Sequence, residues 1–201
     1  MKALFPSLLA LVSVIVGGCF DEPEPAYKSV PPEARVYLSD KGLGDLSGCT
    51  AALAAGAKID YLNLDRNALT NVDPVAKLTG LKWLRLNGNR LAVLPDLKGL
   101  TDLRRIYLQN NLLTAVPETL KDLPALTDIE LSGNPISEVP AWLAAKTGLK
   151  NISLNRTRVT SLPKDLSAWR SLSSLQLGDL SVTADEMARI RKELPNVAIV
   201  F

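Results

Sequence analysis

Between Ile59 and Val182 the sequence repeats one pattern six times, with apolar residues at positions 1, 4, 6 and 11 and usually asparagine at position 9. The six copies begin at Ile59, Leu81, Leu103, Leu126, Leu149 and Leu172. Successive copies start 22, 22, 23, 23 and 23 residues apart, so the period is nearly constant. A unit this short cannot bury its apolar face alone and is stabilised by stacking on its neighbours. The repeat therefore predicts one elongated domain that works through a long surface, not through a pocket.

A period of 22–23 residues with these apolar positions is the signature of a leucine-rich-repeat solenoid. The first two copies resemble the shorter repeats of internalin-type proteins, and the later copies resemble the typical 23-residue subclass. This resemblance implies an α/β fold, a right-handed solenoid with a curved parallel sheet on its concave side and short helices or irregular turns on its convex side. The residues that match the asparagine ladder of the family are Asn67, Asn89, Asn111 and Asn134. Thr157 keeps part of that pairing and Leu180 abandons it.

A solenoid needs closed ends, because its terminal repeats otherwise expose the core. Residues 33–58 are predicted to form the N-terminal cap before six leucine-rich repeats at 59–182. Within this cap Val36-Tyr-Leu38 resembles a degenerate strand, and Leu46 to Ala55 is predicted to be a helix that ends at Gly56. Cys49 falls on that helix, where we expect a small buried residue and not a redox thiol.

Residues 183–201 are predicted to form the C-terminal cap. Thr183-Ala-Asp-Glu186 has the sequence of a capping box that begins a helix, and Pro195 ends the helix. The alternating apolar residues Val197, Ile199 and Phe201 then predict a closing strand. This ending resembles the last unit of many leucine-rich-repeat proteins, so we expect a closed domain.

Residues 1–18 have the composition of a secretory signal peptide. Met1 and Lys2 precede an apolar run from Ala3 to Val16, which small residues then end. The run is shorter than the roughly 20 residues that cross a bilayer. Residues 16–19, Val-Gly-Gly-Cys, also resemble the lipobox of bacterial lipoproteins, which implies cleavage after Gly18 and a diacylated Cys19. The alternative is a plain signal peptide that contains a cysteine.

Lipid on Cys19 predicts an exported protein that is attached to the membrane of the bacterial cell envelope. In some bacteria Asp after the lipidated cysteine signals retention at the inner membrane, and here Phe20 follows. The family rule thus favours the outer membrane over the inner one, with the domain periplasmic or surface-exposed. Residues 19–32 contain four prolines among acidic and small residues, which predicts a stiff, solvated tether behind the lipid.

The composition argues against several classes of function. The formal net charge of +2 argues against a nucleic-acid partner, which requires a concentrated basic stripe. The chain has no histidine, which removes histidine-based catalysis and histidine metal sites, and two cysteines cannot supply a zinc site. Asp128 and Glu130 would be paired carboxylates only on an open surface that does not exclude water. We therefore expect no enzyme activity, no metal and no cofactor.

The outward side chains of the predicted sheet form columns. We expect positions 3 to 7 of each copy to form a strand, with positions 4 and 6 inward and positions 3, 5 and 7 outward. Equivalent residues of adjacent strands lie about 4.8 Å apart. The candidate partner-binding residues on the first four turns are Tyr61, Trp83, Arg85, Arg105, Tyr107, Asp128 and Glu130.

These side chains have no packing role behind the sheet, and Trp, Tyr and Arg are enriched at interaction hot spots. We therefore predict a monomeric, lipid-anchored recognition module that binds a protein partner through the concave face. One alternative is an envelope component whose aromatic rings bind glycan or cell-wall material. The other is a self-contained surface, in which Arg85 and Arg105 stack on the neighbouring rings and pair with Glu130.

Overall fold

The computed structural model describes residues 35–49 and 59–201, which form one eight-stranded parallel sheet with the strands in chain order. The strands are β1 (Arg35–Tyr37), β2 (Tyr61–Asn63), β3 (Trp83–Arg85), β4 (Arg105–Tyr107), β5 (Asp128–Glu130), β6 (Asn151–Ser153), β7 (Ser174–Gln176) and β8 (Ala198–Val200). The α/β leucine-rich-repeat solenoid predicted from the repeat is therefore confirmed.

The strand register follows the sequence repeat, because Leu62 pairs with Leu84 and Leu84 with Ile106. Each strand is shorter than predicted and covers positions 3 to 5 instead of positions 3 to 7. The chain turns soon afterwards, at position 8, where the backbone is left-handed in copy after copy. Examples are Arg66 with φ 53° and Asn110 with φ 55°.

The apolar positions of the repeat form one continuous core behind the sheet. The inward residues Leu62 and Leu64 have no exposed surface, and their equivalents in later turns are also buried. On the convex side Trp169 is fully buried, and its Nε1–H donates to the carbonyl of Leu143 at 2.9 Å. Each such large apolar side chain contributes roughly 1.5–3 kcal/mol by leaving water.

The predicted asparagine ladder is present along the edge of this core. The Asn111 amide donates to the carbonyls of Leu86 and Leu108, both at 2.9 Å, and its oxygen accepts from the Leu91 N–H at 3.1 Å. In the fifth copy the Thr157 hydroxyl keeps one of these bonds, donating to Leu154 at 2.8 Å. The asparagine ladder therefore ties each of the first four copies to the turn before it.

Short helices lie on the convex side of most turns, between irregular segments. The 3-10 helices are Ser47–Cys49, Asp73–Lys77, Glu118–Leu120 and Ser167–Ser171, and the α-helices are α1 (Ala141–Ala145) and α2 (Ala184–Glu193). Lys146 follows α1 at a position where the third and fifth copies have the apolar residues Leu123 and Trp169. Its ammonium donates to the carbonyls of Lys121 and Leu123, at 2.9 and 2.8 Å. Its partial burial lowers the pKa of the Lys146 ammonium.

At the C-terminal end the predicted capping box is half formed. The Thr183 hydroxyl accepts from the Glu186 N–H at 3.2 Å at the start of α2. The Glu186 carboxylate does not return to the cap, because it accepts from the Leu162 N–H of the preceding turn at 2.8 Å and pairs with Arg189 at 2.7 Å. These interactions fasten α2 to the last full repeat, and β8 then pairs with β7.

At the N-terminal end β1 overlaps the predicted degenerate strand. The 3-10 helix Ser47–Cys49 is the described part of the predicted helix from Leu46 to Ala55. The predicted signal peptide, the Cys19 lipidation site, the tether at 19–32 and the side chain of Cys49 lie outside the described residues. Within the part of the chain that the structure describes, none of the helices combines the length and the apolarity needed to cross a bilayer.

Candidate functional site

Four aromatic rings form a continuous strip on the outward, concave face of β1 to β4. The ring centroids of Tyr37 and Tyr61 are 5.2 Å apart, those of Tyr61 and Trp83 5.0 Å, and those of Trp83 and Tyr107 5.7 Å. None of these residues belongs to the hydrophobic core cluster behind the sheet. We call these four residues the aromatic strip.

Tyr61 is less accessible than the sequence predicted. Its exposed fraction is only 8%, because Tyr37 on one side and Trp83 on the other cover its ring. This burial raises the pKa of the Tyr61 phenol, although the nearby Arg85 charge opposes the shift. Trp83 and Tyr107 are half-buried. The aromatic strip is therefore a packed assembly of rings and not a row of separate exposed side chains.

Three arginines cover rings of the aromatic strip. The guanidinium carbon of Arg105 lies 5.0 Å from the Trp83 ring centroid, and that of Arg85 lies 5.6 Å from the Tyr107 centroid. Arg35 lies over Tyr61 in the same way, at 5.6 Å. These separations suit cation–π attraction. The stacking expected for a self-contained surface is therefore present.

The prediction that Arg85 pairs with Glu130 is wrong. The Arg85 Nε–H donates to Asp65 at 2.7 Å, and the same carboxylate accepts from the Asn87 N–H at 2.8 Å. Burial acts to lower the pKa of Arg85, but the hydrogen bond and charge of Asp65 outweigh it and raise the pKa. Glu130, two strands from Arg85, accepts from the Ser132 N–H at 2.8 Å. Asp65 is preferred because it stands at the end of the adjacent strand.

Arg105 is held more loosely. Its side chain is 48% exposed, and its Nε lies 3.8 Å from the nearest Asp128 oxygen, beyond hydrogen-bond distance. The Asp128 carboxylate accepts instead from the Asn151 amide at 2.6 Å. The Arg105 guanidinium therefore keeps donors for a ligand while its plane rests on Trp83.

Two further donors on this face have no acceptor within the described residues. They are the Nε1–H of Trp83 and the Nε–H of Arg35, both shielded from solvent. A buried polar group without a partner costs roughly 1–3 kcal/mol. Arg35, Trp83 and Arg105 all occupy position 3 of their turns. We call these three residues the donor row.

Arg35 and Tyr37 were missed by the sequence prediction of the site, because their turn lacks the rest of the repeat pattern. A signal was nevertheless present. Arg35-Val-Tyr-Leu38 has the same residue types in the same order as Arg105-Ile-Tyr-Leu108. Matching that short segment would have added β1 to the concave face.

The seven predicted residues do come together on one face of the sheet. The register places Trp83, Arg105 and Asp128 side by side in one column. Arg85, Tyr107 and Glu130 form the next column, and Tyr61 precedes Trp83. On β6 and β7 the outward residues are small or polar, namely Asn151, Ser153, Ser174 and Gln176. The role of the seven residues in binding stays a prediction.

A bound metal has no obvious place on this face. Among residues 35–49 and 59–201 no three histidine, cysteine, aspartate or glutamate side chains are grouped closely enough to hold a metal ion. The side chains of this face offer aromatic contact, hydrogen bonding and ion pairing.

Comparison with known proteins supports the repeat assignment. Residues 79–136 match the family described as "Leucine rich repeat". No curated protein sequence matches the chain significantly. Two solved structures with the same fold are an internalin (inlF) and an internalin C2, both from Listeria monocytogenes. The first has 22% identity and a TM-score of 0.61, over 83% of this chain and 56% of that one. The second has 21% identity and a TM-score of 0.70, over 97% of this chain and 82% of that one.

The chain thus spans little more than half of the first internalin, and identities this low establish the common fold alone. The fold and the matched repeats together define the structural class: the chain folds as an α/β leucine-rich-repeat solenoid, and residues 79–136 carry the matched repeats.

Proposed function

We propose that this chain is a lipid-anchored, non-catalytic recognition module that binds a protein partner through its concave face. The observation that carries the proposal is the aromatic strip, which stands outside the core on the solvent side of the sheet. Arg105 beside it is 48% exposed, and its Nε lies beyond hydrogen-bond distance of Asp128, which leaves its guanidinium available to a partner. Aromatic and arginine side chains in this arrangement are those that dominate the energetics of protein interfaces.

The ring geometry favours a peptide over a glycan. Sugars bind best to an exposed aromatic face, whereas Trp83 meets Tyr61 at 89° and Tyr107 at 63°. Arg35, Arg85 and Arg105 each cover one face of a ring. Few flat faces are left for a sugar ring, while ring edges and guanidinium donors suit the carbonyls and side chains of a peptide.

The carboxylates of this face are poorly suited to catalysis. Asp128 accepts from Asn151, and Glu130 accepts from a backbone N–H. Both carboxylates are already engaged as acceptors, and the open sheet does not exclude water, which disfavours general acid–base catalysis. We propose binding without turnover.

The proposed anchor is a lipid on Cys19, with residues 19–32 as the link to the folded domain and the outer membrane as the destination. Metabolic labelling with a palmitate analogue tests this part of the proposal. We expect label on the full-length chain and none on Cys19→Ser. Equal labelling of both would exclude this anchor and leave binding by the concave face to be tested separately.

The binding proposal is tested with the triple substitution Trp83→Ala, Arg105→Ala and Tyr107→Ala in the full-length chain. Crosslinked capture from envelope extracts should yield a protein that the triple variant no longer retains. The control on the same face is Ser174→Ala and Gln176→Ala, which should retain it. Circular-dichroism melts verify that both variants fold. Equal capture by all three proteins would contradict the proposal, and selective binding to a glycan array would favour the alternative.

A further inference from the structure

A basic edge adjoins the aromatic strip where two consecutive turns enter the sheet. Lys82 and Arg104 occupy position 2 of the second and third copies, and both are exposed. The backbone joins them directly, because the Arg104 N–H donates to the Lys82 carbonyl at 2.9 Å and the Arg105 N–H donates to it at 3.1 Å. Lys82, Arg104 and Arg105 thus form one continuous patch, which we call the basic edge.

The basic edge has almost no acidic counterpart on the protein itself. Within the described residues Lys82 and Arg104 form no ion pair, and Arg105 reaches Asp128 only at 3.8 Å. Asp60 occupies the same repeat position one turn before Lys82. Its carbonyl accepts from the Lys82 N–H at 2.8 Å, and its carboxylate forms no ion pair within the described residues. Most other short ion pairs, such as those of Arg66 and Arg189, join side chains elsewhere on the surface.

Resting on the proposed function, we propose that the partner presents an acidic peptide segment whose Asp or Glu side chains bind the basic edge. The Arg105 guanidinium is already stacked on Trp83, so less rotational freedom is lost when it pairs with a carboxylate. Lys82 and Arg104 add charge on adjacent turns, about 4.8 Å apart at the backbone. A charge-assisted hydrogen bond is roughly twice as strong as a neutral one.

The neighbouring strand argues against a uniformly anionic ligand. Asp128 and Glu130 lie on β5, directly beside Arg105 and Tyr107 of β4. A nucleic acid or an anionic lipid surface would place negative charge against both β4 and β5, and β5 would repel it. A peptide can carry carboxylates over the basic edge and neutral or basic residues over β5. The alternation of charge along the sheet therefore favours a protein segment of mixed charge.

The direct test is fluorescence anisotropy with the full-length chain in detergent. The probe is a fluorescein-labelled peptide in which Glu alternates with Ser, and the comparison peptide carries Gln in place of every Glu. We expect the glutamate peptide to bind, with an affinity that falls as salt is raised, and the glutamine peptide to bind at least tenfold more weakly. The double variant Lys82→Gln and Arg104→Gln should weaken binding of the glutamate peptide by at least tenfold.

The matched control is Lys150→Gln. Lys150 occupies the same repeat position on an exposed site of the fifth copy, so its substitution removes one positive charge away from the basic edge. It should leave the affinity within twofold of the unmodified chain. A loss as large as that of the double variant would mean that net charge alone drives binding, and would overturn the inference.

Other outcomes also decide the question. Equal binding of the two peptides, or no effect of the double substitution, would overturn the inference. So would tighter binding, lost in the double variant, to vesicles with anionic lipid or to an oligonucleotide. The capture experiment separates this inference from the proposed function. If the double variant keeps the captured protein while the triple alanine variant loses it, binding through the concave face is supported and recognition of an acidic segment by the basic edge is refuted.

Discussion

The ammonium nitrogen of Lys146 lies 2.8 Å from the carbonyl oxygen of Leu123, the residue that occupies the same repeat position one turn earlier. A second bond to the Lys121 carbonyl, at 2.9 Å, completes the link. The repeat places a buried leucine at this position in the third copy and a buried tryptophan in the fifth. Lys146 therefore replaces an apolar contact with a polar bridge between two turns.

Changing Lys146 to alanine should lower the free energy of unfolding by about 1–2 kcal/mol, because two carbonyls lose a charged donor at a partly exposed site. Urea denaturation followed by circular dichroism measures the loss. Lys121→Ala is the control, since that exposed residue contributes its backbone carbonyl and not its side chain to the bridge. If both variants unfold at the same urea concentration as the unmodified chain, the bridge does not stabilise the turn.

Asn111 satisfies three backbone groups of the buried ladder. Substitution by alanine leaves the carbonyls of Leu86 and Leu108 and the Leu91 N–H without this partner, so we expect a loss of about 3–5 kcal/mol. Asn111→Thr should lose less, because Thr157 makes one of these bonds at the same position of its own copy. Equilibrium unfolding tests which variant loses more free energy of unfolding. Equal losses would mean that the hydrogen bonds of the ladder are not the source of the loss.

Gly133 combines a left-handed backbone with close contact to the preceding turn. Its φ is 68°, and an added Cβ would clash with the Asn110 side-chain oxygen. Gly88 has a similar φ of 65° but its nearest contact would be 3.6 Å. Gly88→Ala should therefore lower the free energy of unfolding by about 1–2 kcal/mol, through the left-handed backbone alone. Gly133→Ala should lower it further, because the added Cβ also meets the Asn110 side chain.

A double-mutant cycle tests whether the added cost at Gly133 comes from this contact. Asn110→Gly removes the obstructing side chain and tolerates the left-handed backbone at that position. In the Asn110→Gly background, Gly133→Ala should lower the midpoint of denaturant unfolding only as much as Gly88→Ala does in the unmodified chain. Strict additivity of the two changes would disprove steric contact as the cause.

Tyr61 and Tyr107 make stability depend on alkaline pH. Burial raises the pKa of both phenols above their ordinary value near 10. The folded protein then binds these protons more tightly than the unfolded chain does, so the stabilisation is complete below pH 10 and is lost as the pH rises through the folded pKa values.

The measurement is phenolate absorbance as a function of pH, in native buffer and in denaturant. Ionisation should be shifted to higher pH in the native protein, and Tyr61→Phe should remove part of the shift. The free energy of unfolding should decline less steeply above pH 10 for the double variant Tyr61→Phe and Tyr107→Phe. Coincident titration curves in both solvents would contradict the burial of these rings.

The core was predictable because its rule is local and repeated. Position 4 is apolar in every copy and points inward, and the structure buries Leu62, Leu84 and Ile106 completely. The asparagine ladder followed for the same reason, since one side chain at one fixed position meets the same backbone groups in each turn. A short period thus carries nearly all the information needed for the solenoid.

The pairing of side chains on the concave face was not predictable in the same way. The repeat fixes the column in which Arg85 lies. Its ion pair with Asp65 and not with Glu130 depends on where the chain turns after a three-residue strand. The burial of Tyr61 depends on Tyr37, whose turn lacks the repeat pattern. Contacts between turns of different sequence cannot be predicted from the repeat, because no periodic rule specifies them.

The order of the sheet, in which each strand pairs only with its neighbours in sequence, gives the molecule a modular character. Gain or loss of a whole unit among β6 to β8 would leave the rings and guanidinium groups of β1 to β4 in their places. The two ends of the sheet can therefore change independently of each other in evolution.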